Sequence, residues 1–433
     1  MKRRQFIQTA SSTSALGALG VLGATSLVSG CATIGGANGP KVVVVGGGYG
    51  GATAAKYIRM WSDHGIQVTL IEPNANFISC PISNLVIGGS KTMADITTSY
   101  DNLVKRHGVN LIKDFVTQID PDKRVVKLAG GAEVPYDRLI LSPGVDFMME
   151  TLPGMNKAGA QEKVLHAWKA GAQTVALRQQ LEAMPDGGVY AISIPLAPYR
   201  CPPGPYERAC QVADYFSKAK PKSKVLILDA NDDVLSKGPL FKKAWAERYK
   251  GIVEYRPKHN AIDVDAATNT LKFDFNDDVK ANVLNVIPPM RAGNIAVNSG
   301  LATANKRWCE VDFLTFESKA AKNIHVLGDA IQIAPAMPKS GHMANQHGKT
   351  CAAAVVALLT GKEPNKLPIY NNTCYSFVSA EDVVHVASVH AYDAEKKTML
   401  TVPGSGGVSS AANELEGRYA MAWARNIWAD TLA

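Results

Sequence analysis

Short, unbroken apolar runs recur along the chain, punctuated by glycine and proline rather than by alternating polar positions. KVVVV opening at 41, QVTLI at 67–71, the run inside YDRLILSPGV (136–145), VYAISI within 188–194, KVLILD at 224–229 and the run inside NIHVLGDAI (323–331) are the clearest. Runs of this length, rich in β-branched residues, read as strands covered on both faces, the pattern of parallel sheets. Helical segments fall between them: the stretch up to residue 61, HAWKAGAQTVALRQQLEAM at 166–184, YERACQVADYF at 206–216, and a long one from about Gly341 to Leu359. The tail mixes strands (DVVHVASVHAYD, TMLTV) with a final helix from about Asn413. Strands alternating with helices predict an α/β fold.

The first strand runs into GGGYGG. Gly46, Gly48 and Gly51 form G-x-G-x-x-G between a strand and a helix, and Glu72 closes the next strand. The glycines allow a tight turn, close approach of a pyrophosphate and close packing of helix on strand; the acid is placed to accept from a ribose hydroxyl. Free N–H groups at the helix start favour the phosphates. This predicts a dinucleotide site.

At 433 residues the chain has room for two or three domains, and 46% hydrophobic with 19% charged residues describes an ordinary globular core. We place a signal segment at 1–40, a dinucleotide-binding domain split between 41–150 and 285–360, a second nucleotide-like domain at 151–284, and a C-terminal domain at 361–433. The runs ending in Ser142-Pro143-Gly144 and in Gly328-Asp329 resemble the glutathione-reductase-like FAD family. That implies a two-domain Rossmann-type FAD fold plus a C-terminal α+β interface domain, with Asp329 on the ribitol chain. SPG stands where the family has ATG. The helix from Gly341 would aim its N-terminus at the pyrimidine edge of the flavin, and Lys339 just before it is expected to stabilise negative charge on the reduced ring.

The second domain raises a different question. Between its strands at 188–194 and 224–229, where a phosphate loop belongs, stands YRCPPGPYERACQVADYF. Pro202, Pro203 and Pro205 lack N–H donors and stiffen the turn, so NAD(P)H is not expected to bind. Pro205 suits the first turn of a helix. Cys201 then lies just ahead of a helix N-terminus, a position expected to favour its thiolate. Glu207 in the first turn is a candidate acid or base. Cys210, Cys309 and Cys351 read as core residues. The chain has seven cysteines but no CxxC or CxxCH, hence no haem attachment site, zinc knuckle or other metal-ligating set.

RCPPGPYERA, NTCYS, MPKSG, VIPPMRAG and HAWKAG together resemble the flavoprotein subunit of flavocytochrome c sulfide dehydrogenase, over essentially all of 41–433. The resemblance implies an active-site disulfide between Cys201 and Cys374, a thioether from Cys80 to FAD, a functional glutamate at Glu207, hydrosulfide as substrate, and a separate c-type cytochrome subunit in a heterodimer. Pro81 follows Cys80 where the family has a bulkier residue. Cys201 and Cys374 stand far apart along the chain, so no local spacing pairs them, and Cys201–Cys80 stands as the alternative pairing. The rival functions are a sulfide:quinone oxidoreductase delivering electrons to a membrane quinone, and a non-catalytic flavin-binding partner of a cytochrome. Trp423 and Trp428 in the last helix are either docking anchors or core.

The segment 1–40 carries Arg3-Arg4, then Phe6 and a weakly apolar stretch, the pattern of a twin-arginine export signal. A periplasmic location is expected, with a membrane anchor only if VSGC leads to lipidation of Cys31. Without Lys2, Arg3 and Arg4 the net charge falls from +8 to about +5. With no basic run and no recognised motif, nucleic-acid binding is not expected.

Overall fold

The computed structural model describes residues 39–433; the twin-arginine segment and Cys31 lie outside the described residues. The first sheet has five parallel strands in the order Ile324–Val326, Arg138–Leu141, Lys41–Val45, Gln67–Ile71, Asn110–Ile112. Its central strand is a run of valines because helices and loops cover both faces, and Val42 to Val45 are all buried. The edge strand Ile324–Val326 returns to this sheet from far along the chain, after the second sheet has been built.

The second sheet is also parallel, in the order Val253–Arg256, Lys224–Asp229, Val189–Ile194, Val283–Val286. Because Val283–Val286 is its edge strand, this sheet runs past residue 284 before the chain crosses back. The helix Ala172–Ala183 leads into this sheet, and Gly204–Ala219 and Gly238–Glu247 connect its strands.

The C-terminal part is an antiparallel sheet of Ile369–Phe377, Val383–Asp393 and Thr398–Thr401, with Gly407–Val408 beside the second strand. Its closing helix, Glu414–Leu432, starts where Asn413 accepts from the Glu416 N–H at 2.9 Å. Its far end is held by Lys56, whose ammonium donates to the carbonyls of Ala429 at 3.1 Å and Asp430 at 3.0 Å. Trp428 donates to the Tyr49 hydroxyl at 2.9 Å, so this tryptophan is a structural tie to the first domain.

Two helices meet unusually closely beneath the first sheet's switch point. A Cβ on Gly348, in the helix Gly341–Leu359, would lie 2.5 Å from the Gly50 carbonyl in the helix Tyr49–Trp61. Small residues on both sides permit this approach.

One expected helix starts late. The stretch 166–184 is helical only from Ala172. Gly171 sits at φ +155 and Ala167 at φ +44, and the buried Arg208 guanidinium takes the carbonyls of His166 at 3.0 Å and Ala167 at 2.7 Å. Those carbonyls are therefore not available to a helix, and 167–170 becomes cavity wall. No helix among the described residues is long and apolar enough to cross a membrane.

Candidate functional site

A cavity of about 660 Å³ runs from the glycine loop to the C-terminal sheet. At one end the three loop glycines have separable roles. A Cβ on Gly46, at φ +96, would sit 2.3 Å from the Ser142 carbonyl, and one on Gly51 would sit 1.9 Å from the Gly46 carbonyl. A Cβ on Gly48 would touch nothing within 4 Å, yet Gly48 lines the cavity. Gly46 and Gly51 allow the turn and the packing; Gly48 leaves a cradle open for a ligand. Glu72 braces that cradle, accepting from the Gly47 N–H at 2.7 Å and from Asn74 at 2.9 and 2.6 Å.

Further along, Gly328 at φ +73 presents Asp329 to the cavity. The Asp329 carboxyl has no hydrogen-bond partner among the described residues, and burial holds its pKa above the usual carboxylate range, opposed by Arg200 and Lys339. Arg200 also lines the cavity, and its buried Nη2 has no acceptor among the described residues. The helix Gly341–Leu359 begins at the same wall. Ser340 accepts from the Met343 N–H at 3.0 Å, while Gly341 and His342 face the cavity with first-turn N–H groups that no helix carbonyl can take.

At the far end, Cys80, Cys201 and Cys374 all line the cavity, and all six cysteines among the described residues are free thiols. Cys80 follows the strand Asn76–Ile78, and its sulfur accepts from the Ala170 N–H at 3.4 Å. Cys201 sits at φ +58, with its N–H on the Lys339 carbonyl at 2.8 Å and its carbonyl taking the Gly204 N–H at 2.9 Å. Cys374 lies on Ile369–Phe377, where Asn372 donates to its sulfur at 3.4 Å. Glu207 joins the two segments. One carboxylate oxygen takes the Phe377 N–H at 2.9 Å, on the strand of Cys374, and the other takes Asn84 at 2.8 Å. Burial raises the Glu207 pKa, against those hydrogen bonds and the charges of Lys237 and Arg208.

Two expectations need correction. The Cys201 thiol is pushed up, not down: burial dominates, Cys374 and Glu207 add to it, and Arg200 and Lys237 only partly oppose. The residue lies three positions before the helix, and desolvation outweighs what the helix start supplies. Lys339 does not line the cavity. Its ammonium turns away from it, donates to the carbonyls of Asp329 at 2.9 Å and Ile331 at 2.6 Å, and lies 3.6 Å over the Trp308 ring. It braces the Asp329 loop from behind.

Comparison with known proteins agrees with this architecture. Residues 174–288 match the family profile of the sulfide dehydrogenase [flavocytochrome c] flavoprotein chain, central. Residues 366–432 match that of flavocytochrome c sulphide dehydrogenase, flavin-binding, and 40–185 that of pyridine nucleotide-disulphide oxidoreductase. The sulfide dehydrogenase [flavocytochrome c] flavoprotein chain of Chlorobaculum thiosulfatiphilum is 59% identical over 46 residues, which are 94% of that chain and 11% of this one. The chain belongs to the flavocytochrome c sulfide dehydrogenase flavoprotein family.

The family is wider than that match. The mitochondrial sulfide:quinone oxidoreductase of Dictyostelium discoideum is 24% identical over 303 residues, 67% of this chain and 65% of the relative. The chain therefore spans just under two thirds of that relative's length. The sulfide:quinone oxidoreductase structure from Aquifex aeolicus shares the fold at a TM-score of 0.73, with 19% identity over 90% of this chain and 91% of that one.

For a flavoprotein of this family the cavity residues fit FAD: the open cradle at Gly48, the unpartnered Asp329 carboxyl and the orphan Arg200 donor are complementary to phosphates, a polyol and a ring acceptor. The second sheet offers no comparable site. Its loop carries Pro195, Pro198, Pro202 and Pro203, and Asn231 ties it down through the Ala197 N–H at 3.1 Å and the Pro195 carbonyl at 3.0 Å. Asp229, at the strand end where a ribose would be read, is taken by Tyr206, Tyr255 and Asn231 at 2.7, 3.1 and 2.7 Å.

Sequence reasoning missed four residues here. Arg200 adjoins Cys201, and Trp168 lies inside a quoted motif, so both had a signal. Arg208, buried with its guanidinium 4.7 Å over the Trp168 ring, lies inside RCPPGPYERA and had a signal of the same kind. Lys237 had no signal at all.

Proposed function

We propose that this flavoprotein oxidises hydrosulfide through a Cys201–Cys374 disulfide and passes the electrons to a separate c-type cytochrome subunit. The observation that carries the reading is that both thiols line one cavity, with Glu207 bonding to the strand of one from the first turn that follows the other. Cys374, not Cys80, is the thiol that acts foremost on Cys201, which favours this pairing. Hydrosulfide is a soft nucleophile and attacks a disulfide sulfur. A new S–S bond forms to one cysteine as the old one breaks, and the other cysteine leaves as thiolate. FAD, when bound, supplies a two-electron sink able to release electrons singly. Glu207 is placed to hold or return a proton beside the pair. Cys80, on the loop past the second strand, is placed for a thioether to the flavin. Export by the twin-arginine route to the periplasm, with an optional lipid at Cys31, belongs to the same reading.

A quinone acceptor is the second reading, supported by the sulfide:quinone oxidoreductase relatives. A smaller cavity of about 430 Å³ lies between the helices Gly341–Leu359 and Glu414–Leu432, and shares His342, Tyr375 and Trp423 with the main one. Lys349, Asp430, Asn345 and Gln346 line it together with Tyr419, Trp423 and Ile427, a mixed polar and apolar surface that suits a protein acceptor or a quinone alike.

The test is anaerobic flavin reduction by hydrosulfide in Cys201→Ser and Cys374→Ser. Each is expected to lose at least about 10³-fold in rate, as when a nucleophile is removed. Full activity in either variant would leave only a flavin-binding scaffold. Intact mass after denaturation should show an FAD adduct in wild type and none in Cys80→Ala.

A further inference from the structure

Lys237 is a buried cation without a counter-ion. It is 8% exposed, and among the described residues no carboxylate comes within ion-pair distance. Its ammonium donates to the Cys374 carbonyl and to the Ser376 hydroxyl, each at 2.8 Å. Its backbone is left-handed, at φ +57, just before the helix Gly238–Glu247. A left-handed non-glycine residue holding an unpaired buried charge is expensive to keep. What surrounds it is chemically specific. Foremost among the groups whose negative charge would favour the ammonium is the Cys374 thiol, followed by Glu207 from the helix after Cys201, by Cys201 itself, and by Glu416 from the last helix. Arg200 is the other cation acting at Cys201, and the Phe241 ring lies 5.9 Å from the ammonium.

We propose that Lys237 is a positioning residue that fixes Cys374 as the sulfur that leaves in the disulfide reaction. This rests on the redox-disulfide reading above. Its ammonium holds the Cys374 carbonyl at 2.8 Å and so stands beside that cysteine, while Asn372 donates to its sulfur at 3.4 Å. At Cys201 burial, Cys374 and Glu207 outweigh Arg200 and the same Lys237, so its thiolate is disfavoured. In a thiol–disulfide exchange, the better-stabilised thiolate leaves faster. Hydrosulfide therefore bonds to the Cys201 sulfur and keeps its proton as the persulfide S–H. The bond between the two cysteine sulfurs breaks, and its electron pair stays on Cys374. One negative charge enters and one remains, so the step needs no further reactant. Burial lowers the Lys237 pKa, and a thiolate on Cys374 would restore the charged form.

The experiment uses the full flavin-loaded chain, reduced with dithiothreitol, and follows iodoacetamide alkylation of each cysteine by peptide mass spectrometry across pH. In Lys237→Met, Cys374 alkylation at pH 7 should slow about tenfold, the effect of one unit of displacement, with its profile moved to higher pH. Lys237→Arg and Ser376→Ala should stay close to wild type, because both keep the charge. A Lys237→Met profile that superimposes on wild type overturns the proposal. So does Ser376→Ala slowing Cys374 as much as Lys237→Met, since that would make the tie matter and not the charge. If Lys237→Met does not fold, Lys237→Gln takes its place under the same two criteria. Unreduced wild type separates the two claims: Cys201 and Cys374 alkylating without reductant defeats the disulfide reading, while the Lys237 dependence is still read in reduced protein.

Discussion

Two buried ionisable side chains carry residue-scale predictions. Glu207 is expected to take up and release its proton above the ordinary carboxylate range, because burial outweighs its hydrogen bonds. If it serves as base, activity rises with pH through that raised value. Glu207→Gln should lose that limb of the pH profile and about 10² or more of kcat/KM, the usual weight of a general acid–base group; a variant with an unchanged profile would leave Glu207 only a tie between Asn84 and Phe377. Lys339 goes the other way. Burial lowers its pKa from 10.5 to about 7. Between those values the unfolded chain binds the extra proton, so stability rises with pH across that window. Lys339→Met should lack this rise, so wild type should gain at least about 3 °C in Tm over the variant between pH 7 and pH 10. Glu72 and Glu207 stood out by their places at a strand end and in a first helical turn, and Asp329 through the family resemblance; all three line the cavity. The direction of Lys339 was not, because Trp308, well removed from it in sequence, decides where its ammonium lies.

At the scale of elements, the glycine loop gives a prediction in which neighbouring positions behave differently. Gly51→Ala would press a Cβ onto the Gly46 carbonyl, so it should damage the strand–helix packing and lower Tm even without flavin. Gly48→Ala meets no protein atom, so it should purify with native far-UV circular dichroism and an unchanged flavin-free Tm but without bound flavin. The reverse pattern would move the phosphate cradle elsewhere. Asn413→Ala should cost about 1 kcal/mol by removing the cap of the last helix, measured by denaturant unfolding. These elements were legible because their signals are local: valine runs covered on both faces, a cap followed by a helical segment, glycines at fixed offsets. The segment 166–171 was not legible. Its composition suits a helix, and the guanidinium that pulls it into the cavity wall comes from Arg208, on another helix.

For the whole molecule, the decisive feature is that two parallel sheets of nucleotide-binding type are present and only one keeps the means to hold a phosphate. The meeting of Cys201 and Cys374 in one cavity belongs to this scale too: no spacing along the chain marks it, and the docking of the C-terminal sheet against the helix Gly204–Ala219 brings it about. A cavity lined by three thiols, beside a second sheet without phosphate donors, makes a distinct prediction about electron source. Under anaerobic conditions hydrosulfide should bleach the flavin, whereas NADH and NADPH at millimolar concentration should leave its spectrum unchanged over the same period. The difference follows from position. A pyrophosphate at the second sheet would need N–H groups that Pro195, Pro198, Pro202 and Pro203 do not have, and a ribose there would need Asp229, whose carboxylate is already taken by Tyr206, Tyr255 and Asn231. Restoring one group should therefore not restore the site. Tyr206→Phe, which removes one of the three residues donating to Asp229, should still show no reduction by NADH, because Tyr255, Asn231 and the loop's missing donors remain. Flavin reduction by NADH in wild type would show that the coenzyme reaches the cavity without the second sheet, and the cavity's thiols would then need another role.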